Sequence, residues 1–280
     1  MPTLDDSTAR SVWLGDGRRL GYAEFGDPHG VPAFFFHGAP GSRLSGALLD
    51  AQARAAGVRL LSPDRPGFGL SSFQSGRGRL DWPRDILELA DLLGIDRFLA
   101  IGWSAGGPYA LACASAQPER VGAVGVLAGV DTLRHLHPQM VTNLWSLRLV
   151  GRDPDQWSDA ISRAWVRTRK AAGNSIEATQ AAARTIAAGI RESLREGTAG
   201  VLHELRLLGR DWDFDPARID GVPIRFWHGL DDTLISTKHT RALAARIPNA
   251  QATYLPGCGH VTLLTGHGRE ILTELRRLAA

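Results

Sequence analysis

Gly102-Trp-Ser-Ala-Gly-Gly107 sets one hydroxyl, that of Ser104, among glycines between two apolar runs. The spacing is G-x-S-x-G, a turn too tight for neighbouring side chains around a residue whose own side chain must project. A serine hydroxyl is a weak nucleophile near neutral pH and needs a base held in place by a third group. Two later stretches offer both: His228-Gly-Leu-Asp-Asp232 presents Asp231 and Asp232, and Gly257-Cys-Gly-His260 presents His260. Together these residue types perform acyl transfer. The hydroxyl attacks a carbonyl carbon, the imidazole takes the proton, the carboxylate orients the imidazole, and backbone N–H groups receive the developing oxyanion. The Ala105 N–H, at a helix start, is one candidate donor. The glycine-bearing loop in Phe34-Phe-Phe-His-Gly-Ala-Pro-Gly-Ser-Arg43 offers a second at Ala39; Gly38, and Trp103 beside the serine, are candidate substrate contacts.

Other groups of the same chemical types have plainer readings. His37 and His228 each precede a glycine at a strand end and read as residues that fasten a loop. Asp64, in Asp64-Arg-Pro-Gly-Phe-Gly-Leu-Ser71, belongs to a turn. Cys258 lies two residues from His260 but has no tight turn of its own to present a thiol. Trp145, Trp157, Trp165 and Trp212 read as core residues of a helical stretch.

The elements that must position these groups follow from hydrophobic rhythm. Ser11–Leu14 and Arg18–Ala23 flank Asp16-Gly17, a hairpin signal. Pro32–Phe36, Arg59–Ser62, Phe98–Ile101 and Gly122–Leu127 are short apolar runs of the kind buried on both faces of a parallel sheet. Helical patterns at Leu44–Ala56, Pro83–Leu93 and Pro108–Ala116 separate them. Strand-forming runs then stop until Pro223–His228 and Gln251–Leu255, with helices at Lys238–Ile247 and Gly268–Ala279. The block between, residues 131–215, reads as helices only, broken at Gly151-Arg-Asp-Pro154, Gly173-Asn174 and Gly209. The expected organisation is an α/β core domain of residues 1–130 and 216–280, with 131–215 inserted as an all-helical cap over the carboxyl ends of the strands.

Bulk composition narrows the class. The 280 residues are 44% hydrophobic, enough for a sizeable core, and no apolar run approaches the roughly 20 residues of a membrane span. The net charge of +3 is small, and the basic residues lie scattered through helical stretches with no aromatic-interleaved stripe, so neither nucleic acid nor a membrane is an expected partner. Met1–Arg10 is polar and acidic where a secretion signal is basic and then apolar. Cys113 and Cys258 make neither a disulfide framework nor a metal spacing. The expectation is a cytoplasmic protein acting on a small molecule, with no metal or organic cofactor implied and an oligomeric state that the sequence leaves open.

Taken together, His37-Gly-Ala-Pro-Gly-Ser42, Asp64–Ser71, Gly102–Gly107, His228–Asp232 and Gly257–His260 give the chain a resemblance, over nearly its whole length, to the α/β-hydrolase fold superfamily. The resemblance implies a mostly parallel sheet flanked by helices, a Ser-His-Asp triad, and an oxyanion hole from the loop after His37-Gly38 and the residue after the serine. It selects Asp232 over Asp231 as the acid, three residues after Gly229, with Asp131 as the alternative because some members place the acid there. The function implied is a serine hydrolase cleaving an ester-type bond. The alternatives are a proline iminopeptidase-like aminopeptidase, from which Ala105 departs because that group has tryptophan there, a non-hydrolytic lyase or cofactor-free oxygenase, and a ligand receptor.

Overall fold

The central apolar runs become strands here because they are covered on both faces, by helices that separate them in sequence, while the two edge strands, Arg10–Trp13 and Ala250–Leu255, are partly exposed. The computed structural model describes residues 8–130, 132 and 176–280. Asp131, Trp145, Trp157, Trp165 and the breakers at 151–154 and 173–174 lie outside the described residues. The strands are β1 (Arg10–Trp13), β2 (Arg19–Gly26), β3 (Val31–Phe36), β4 (Val58–Pro63), β5 (Phe98–Trp103), β6 (Val121–Leu127), β7 (Ile224–Gly229) and β8 (Ala250–Leu255). They form one eight-stranded sheet in the order β1-β2-β4-β3-β5-β6-β7-β8. β1 and β2 pair antiparallel, as do β2 and β4; all other neighbours are parallel.

Alternation divides the core. Phe35, Leu99, Ile101 and Ala123 face α1 (Asp50–Ala56) and the C-terminal helix with Leu49, Leu272 and Leu275. Phe34, Phe36, Ala100, Val124 and Val126 face the opposite way. There they meet Trp82, Ile86 and Leu89 of α2 (Trp82–Leu92) and Leu111 of α3 (Gly107–Ala116). Phe34 meets Phe98 edge-on at 4.9 Å between ring centroids, and Phe36 meets Trp82 at 5.6 Å. Two helices are described between β6 and β7: α4 (Ile176–Ser193) and α5 (Ala199–Leu208). α6 (Thr237–Arg246) and α7 (Thr262–Leu278) complete the chain. Among the described residues no helix is long and apolar enough to cross a membrane.

Two helices differ from the sequence reading. The stretch read as one helix from Leu44 is a 3-10 segment over Arg43–Leu49 followed by α1, which stops at Gly57 in the left-handed conformation, φ 64°. The last helix begins at Thr262, six residues before the expected start at Gly268. Its glycines look like breakers in sequence, yet a Cβ at Gly268 would lie 2.5 Å from Leu49 Cδ2. Glycine there lets α7 pack closely against the Leu49–Gln52 segment, and this contact outweighs the residue's poor helix propensity.

Register supplies the positioning. Phe36 pairs with Gly102, Gly102 with Val126, Val126 with Phe226 and Phe226 with Ala252, so five parallel strands finish at nearly the same height. The loops that follow β3, β5, β7 and β8 therefore leave the sheet side by side. Truncating Leu272, which is fully buried on the inner face of α7, removes packing shared by the helix and the sheet. Leu272→Ala should reduce the unfolding free energy by about 2–5 kcal/mol, read as a lower urea midpoint with an unchanged slope.

Candidate active site

Ser104 follows the last residue of β5 at φ 56°, the left-handed region that side-chain-bearing residues avoid. Such a conformation costs on the order of 1–3 kcal/mol and persists where its surroundings over-determine it. Here three glycines do so. A Cβ on Gly102 would strike the Gly106 carbonyl, one on Gly106 would strike the Phe36 carbonyl of β3, and one on Gly107 would come within 2.9 Å of Val126 Cγ1. The turn is thus pressed between β3 and β6, and the Ser104 carbonyl accepts the Val130 N–H at 3.1 Å. Ala105 sits in the 3-10 turn that leads into α3, whose first turn carries Pro108.

Beside this turn lies the loop after β3. The Cβ position of Gly38 is 3.3 Å from Ser104 Cβ and 3.7 Å from Ser104 Oγ, so the Gly38 backbone lies against the serine side chain and a larger residue would crowd it. Ala39, the next residue, is buried.

Asp232 and His260 meet across the ends of β7 and β8. His260 Nδ1–H donates to Asp232 Oδ2 at 2.7 Å, with both side chains fully buried. His228 Nε2–H donates to the same oxygen at 3.1 Å, while Oδ1 accepts the N–H groups of Leu234 at 2.8 Å and Ile235 at 3.0 Å. Burial alone would raise the Asp232 pKa. The charge of His260 and the hydrogen bonds from His228 and His260 outweigh burial and hold the carboxyl well below its usual range. His228 is set in turn by Thr240 of α6, at 2.7 Å from Nδ1. Asp231 is exposed, and its N–H donates to the Cys258 carbonyl. With Nδ1 committed to the carboxylate, the His260 ring is the tautomer whose Nε2 accepts a proton. Trp103, beside the serine, packs on His260 with ring centroids 5.3 Å apart, and its indole N–H donates to the His260 carbonyl at 3.2 Å. Ser104, Trp103, His260 and Asp232 therefore form a contiguous buried group, with Gly38 on its other flank.

Cys258 is buried, and burial pushes its thiol up to about 11, away from nucleophilic use. The fully buried Asp64 accepts the Arg43 and Leu70 N–H groups at 2.6 and 2.9 Å and the Arg43 guanidinium at 3.0 Å, which holds the turn after β4.

The sequence reading passed over a second buried polar group behind the Gly38 loop. Arg65, Arg77 and Glu204 are all buried. Glu204 Oε2 receives Arg77 Nη2 at 2.9 Å and the Tyr109 hydroxyl at 2.9 Å, and lies 3.4 Å from Arg65 Nε. One signal was available: Glu204 occupies an inward position of α5, in step with Val201, Leu205 and Leu208, where periodicity calls for an apolar residue.

A family model described as alpha/beta hydrolase fold matches residues 32–267. The 2-hydroxymuconate semialdehyde hydrolase of Pseudomonas putida is 28% identical over 254 residues, covering 83% of this chain and 82% of the relative. A proline iminopeptidase of Xanthomonas citri is 31% identical over 56% of this chain and 49% of the relative. An esterase from Rhodococcus sp. ECU1013 has a similar structure, with a TM-score of 0.70 at 22% identity, covering 97% of this chain and 98% of its own.

His37 gives the region a measurable proton linkage. Its Nδ1–H donates to the Gly38 carbonyl at 2.7 Å and its Nε2 accepts the Arg65 N–H at 3.3 Å, an arrangement that requires the neutral ring. Burial, reinforced by the charge of Arg65, holds its pKa well below the ordinary 6.5. The unfolded chain takes up a proton near 6.5 and the folded chain does not, so this contribution to stability is complete above that pH and is lost as pH falls. Below pH 6.5 the unfolding free energy should drop by up to about 1.4 kcal/mol per pH unit on this group's behalf. Urea titrations between pH 7 and 5 should show this slope, and His37→Gln should show a smaller one.

Proposed function

Because the chain belongs to the alpha/beta hydrolase fold family, we propose that it is a serine hydrolase that cleaves an ester-type bond of a small-molecule substrate through Ser104, His260 and Asp232. The observation that carries this reading is the buried Asp232–His260 hydrogen bond at 2.7 Å, together with the packing against His260 of Trp103, the residue next to a serine at φ 56°. In the proposed reaction His260 Nε2 removes the Ser104 proton as Oγ attacks the substrate carbonyl carbon. The N–H groups of Ala39 and Ala105 receive the negative charge on the carbonyl oxygen. Collapse expels the alcohol with the proton from His260, and water then releases the acyl group by the same relay. Asp232 stays ionised throughout, matching its depressed pKa.

In this reading residues 131–215 form a helical lid on a core of 1–130 and 216–280, and Trp103 and Gly38 border the substrate. The packing of α4 and α5 onto the strand-end loops supports it. Arg43 Nη1 reaches Glu192 of α4 at 2.7 Å, and Arg77 reaches Glu204 of α5 at 2.9 Å.

A second reading, an aminopeptidase releasing amino-terminal proline, draws on the similarity to proline iminopeptidase over about half of that relative. The two separate on substrate: short aryl esters against prolyl amides. Ser104→Ala should abolish labelling by a fluorophosphonate and lower ester turnover by at least about 10³-fold, and Asp232→Asn should lower turnover on the order of 10³ to 10⁴-fold. Labelling that survives Ser104→Ala places the nucleophile elsewhere.

A further inference from the structure

Arg65 sits directly behind the loop that carries Ala39. Its Nη1 donates to the His37 carbonyl at 2.5 Å and its Nη2 to the Gly38 carbonyl at 3.2 Å. A trans peptide points its C=O and N–H in opposite directions, and the Gly38–Ala39 peptide is trans. Anchoring the Gly38 oxygen on Arg65 and on His37 Nδ1 therefore fixes the direction of the Ala39 N–H, away from the guanidinium. Hydrogen bonding to the carbonyl also polarises the peptide and makes its N–H a stronger donor. The loop is pinned on its other flank, where Gly38 meets Ser104.

The guanidinium is itself immobilised. Its carbon lies 4.8 Å from the Tyr109 ring centroid and 5.4 Å from that of Phe68. Its anionic partner, Glu204, comes from α5, outside the strand-end loops, and is shared with Arg77 and Tyr109. Within this cluster two guanidinium charges face one carboxylate, leaving a positive excess behind the loop where an oxyanion would form on the far side.

We infer that Arg65 is a positioning residue of the oxyanion loop, anchored by Glu204 of α5, so that a helix lying between β6 and β7 in sequence helps to preorganise the Ala39 N–H. This rests on the serine hydrolase reading given above. It differs from a purely structural role because the effect concentrates on the step that develops negative charge. Arg77 supplies the control: it shares Glu204, but its guanidinium donates to Tyr109 and Glu204, not to the loop carbonyls.

The experiment compares the full-length protein with Arg65→Lys and Arg77→Lys, using an aryl ester for turnover, an arylboronic acid as a tetrahedral adduct former, and thermal melting. Lysine keeps the charge toward Glu204 but cannot hold two carbonyls in a fork. Arg65→Lys should lower kcat about 10- to 100-fold with KM within about twofold, and weaken boronate inhibition by a similar factor. Arg77→Lys should lower the melting temperature with kcat and boronate affinity within about twofold. Equal loss of kcat in both variants, or unchanged boronate affinity in Arg65→Lys, overturns the inference while leaving the serine hydrolase reading intact. Absence of fluorophosphonate labelling and ester turnover in the parent protein overturns that reading, and this inference with it. Should Arg65→Lys fail to fold, Glu204→Gln carries the same test, since it removes the anchor and leaves the guanidinium free to shift. Weaker boronate inhibition at unchanged KM supports the inference, and unchanged inhibition overturns it.

Discussion

A carboxylate without solvent must find a full set of donors or take up a proton. Asp232 is such a group, and the end of the sheet is arranged to satisfy it. Two imidazole N–H groups and two backbone N–H groups converge on its oxygens, drawn from β7, from the turn that follows it, and from the loop after β8. Once those four donors are in place, the His260 ring has one orientation and one tautomer. His228, which has the residue type of a catalytic base, serves here as a donor, and its own second nitrogen is engaged by Thr240. The parallel register of β7 with β8, running Trp227 to Thr253 and Gly229 to Leu255, brings the donors within reach.

The same constraint recurs on the other side of the serine with the opposite sign. Arg43, Arg65, Arg77 and Arg79 are buried cations, and each meets an anion or a row of carbonyls. Arg43 binds Asp64 and Glu192, while Arg65 and Arg77 share Glu204. Arg79 takes the Leu207 carbonyl at 2.5 Å, at the negative end of the α5 dipole. Buried ion pairs contribute little net stability over apolar packing, because desolvation consumes most of the Coulomb attraction. Their directional hydrogen bonds still specify how α4 and α5 seat on the core. Gly67 and Gly200 add a close backbone approach, since a Cβ on either would press into the other.

Much of this was legible in the residues. All eight strands fall within two or three residues of the runs that announce them; for the central ones the reason is that a strand buried on both faces has little choice of composition. The tight turn around Ser104 was legible because no larger residue fits where Gly102, Gly106 and Gly107 stand. The start of α7 was not, because the use of Gly268 depends on Leu49, more than two hundred positions away. Nor was the donation from His228 to Asp232. The four-residue spacing suits a contact, but the direction of the ring depends on Thr240. Glu204 was the subtlest case, since its helix reads as amphipathic with one residue out of place, and the partners that make it fit come from loops near residues 65 and 77.

The chain leaves the sheet after β6 and returns to it at β7, two strands that are already hydrogen-bonded neighbours. Such a position tolerates an exchange of insert as far as strand pairing is concerned. The Glu204 cluster sets a further condition on any transplant. A foreign insert lacking an inward acid at that point would strand two guanidinium ions in a dry interior, so a chimera has to carry over the counterion along with the helices.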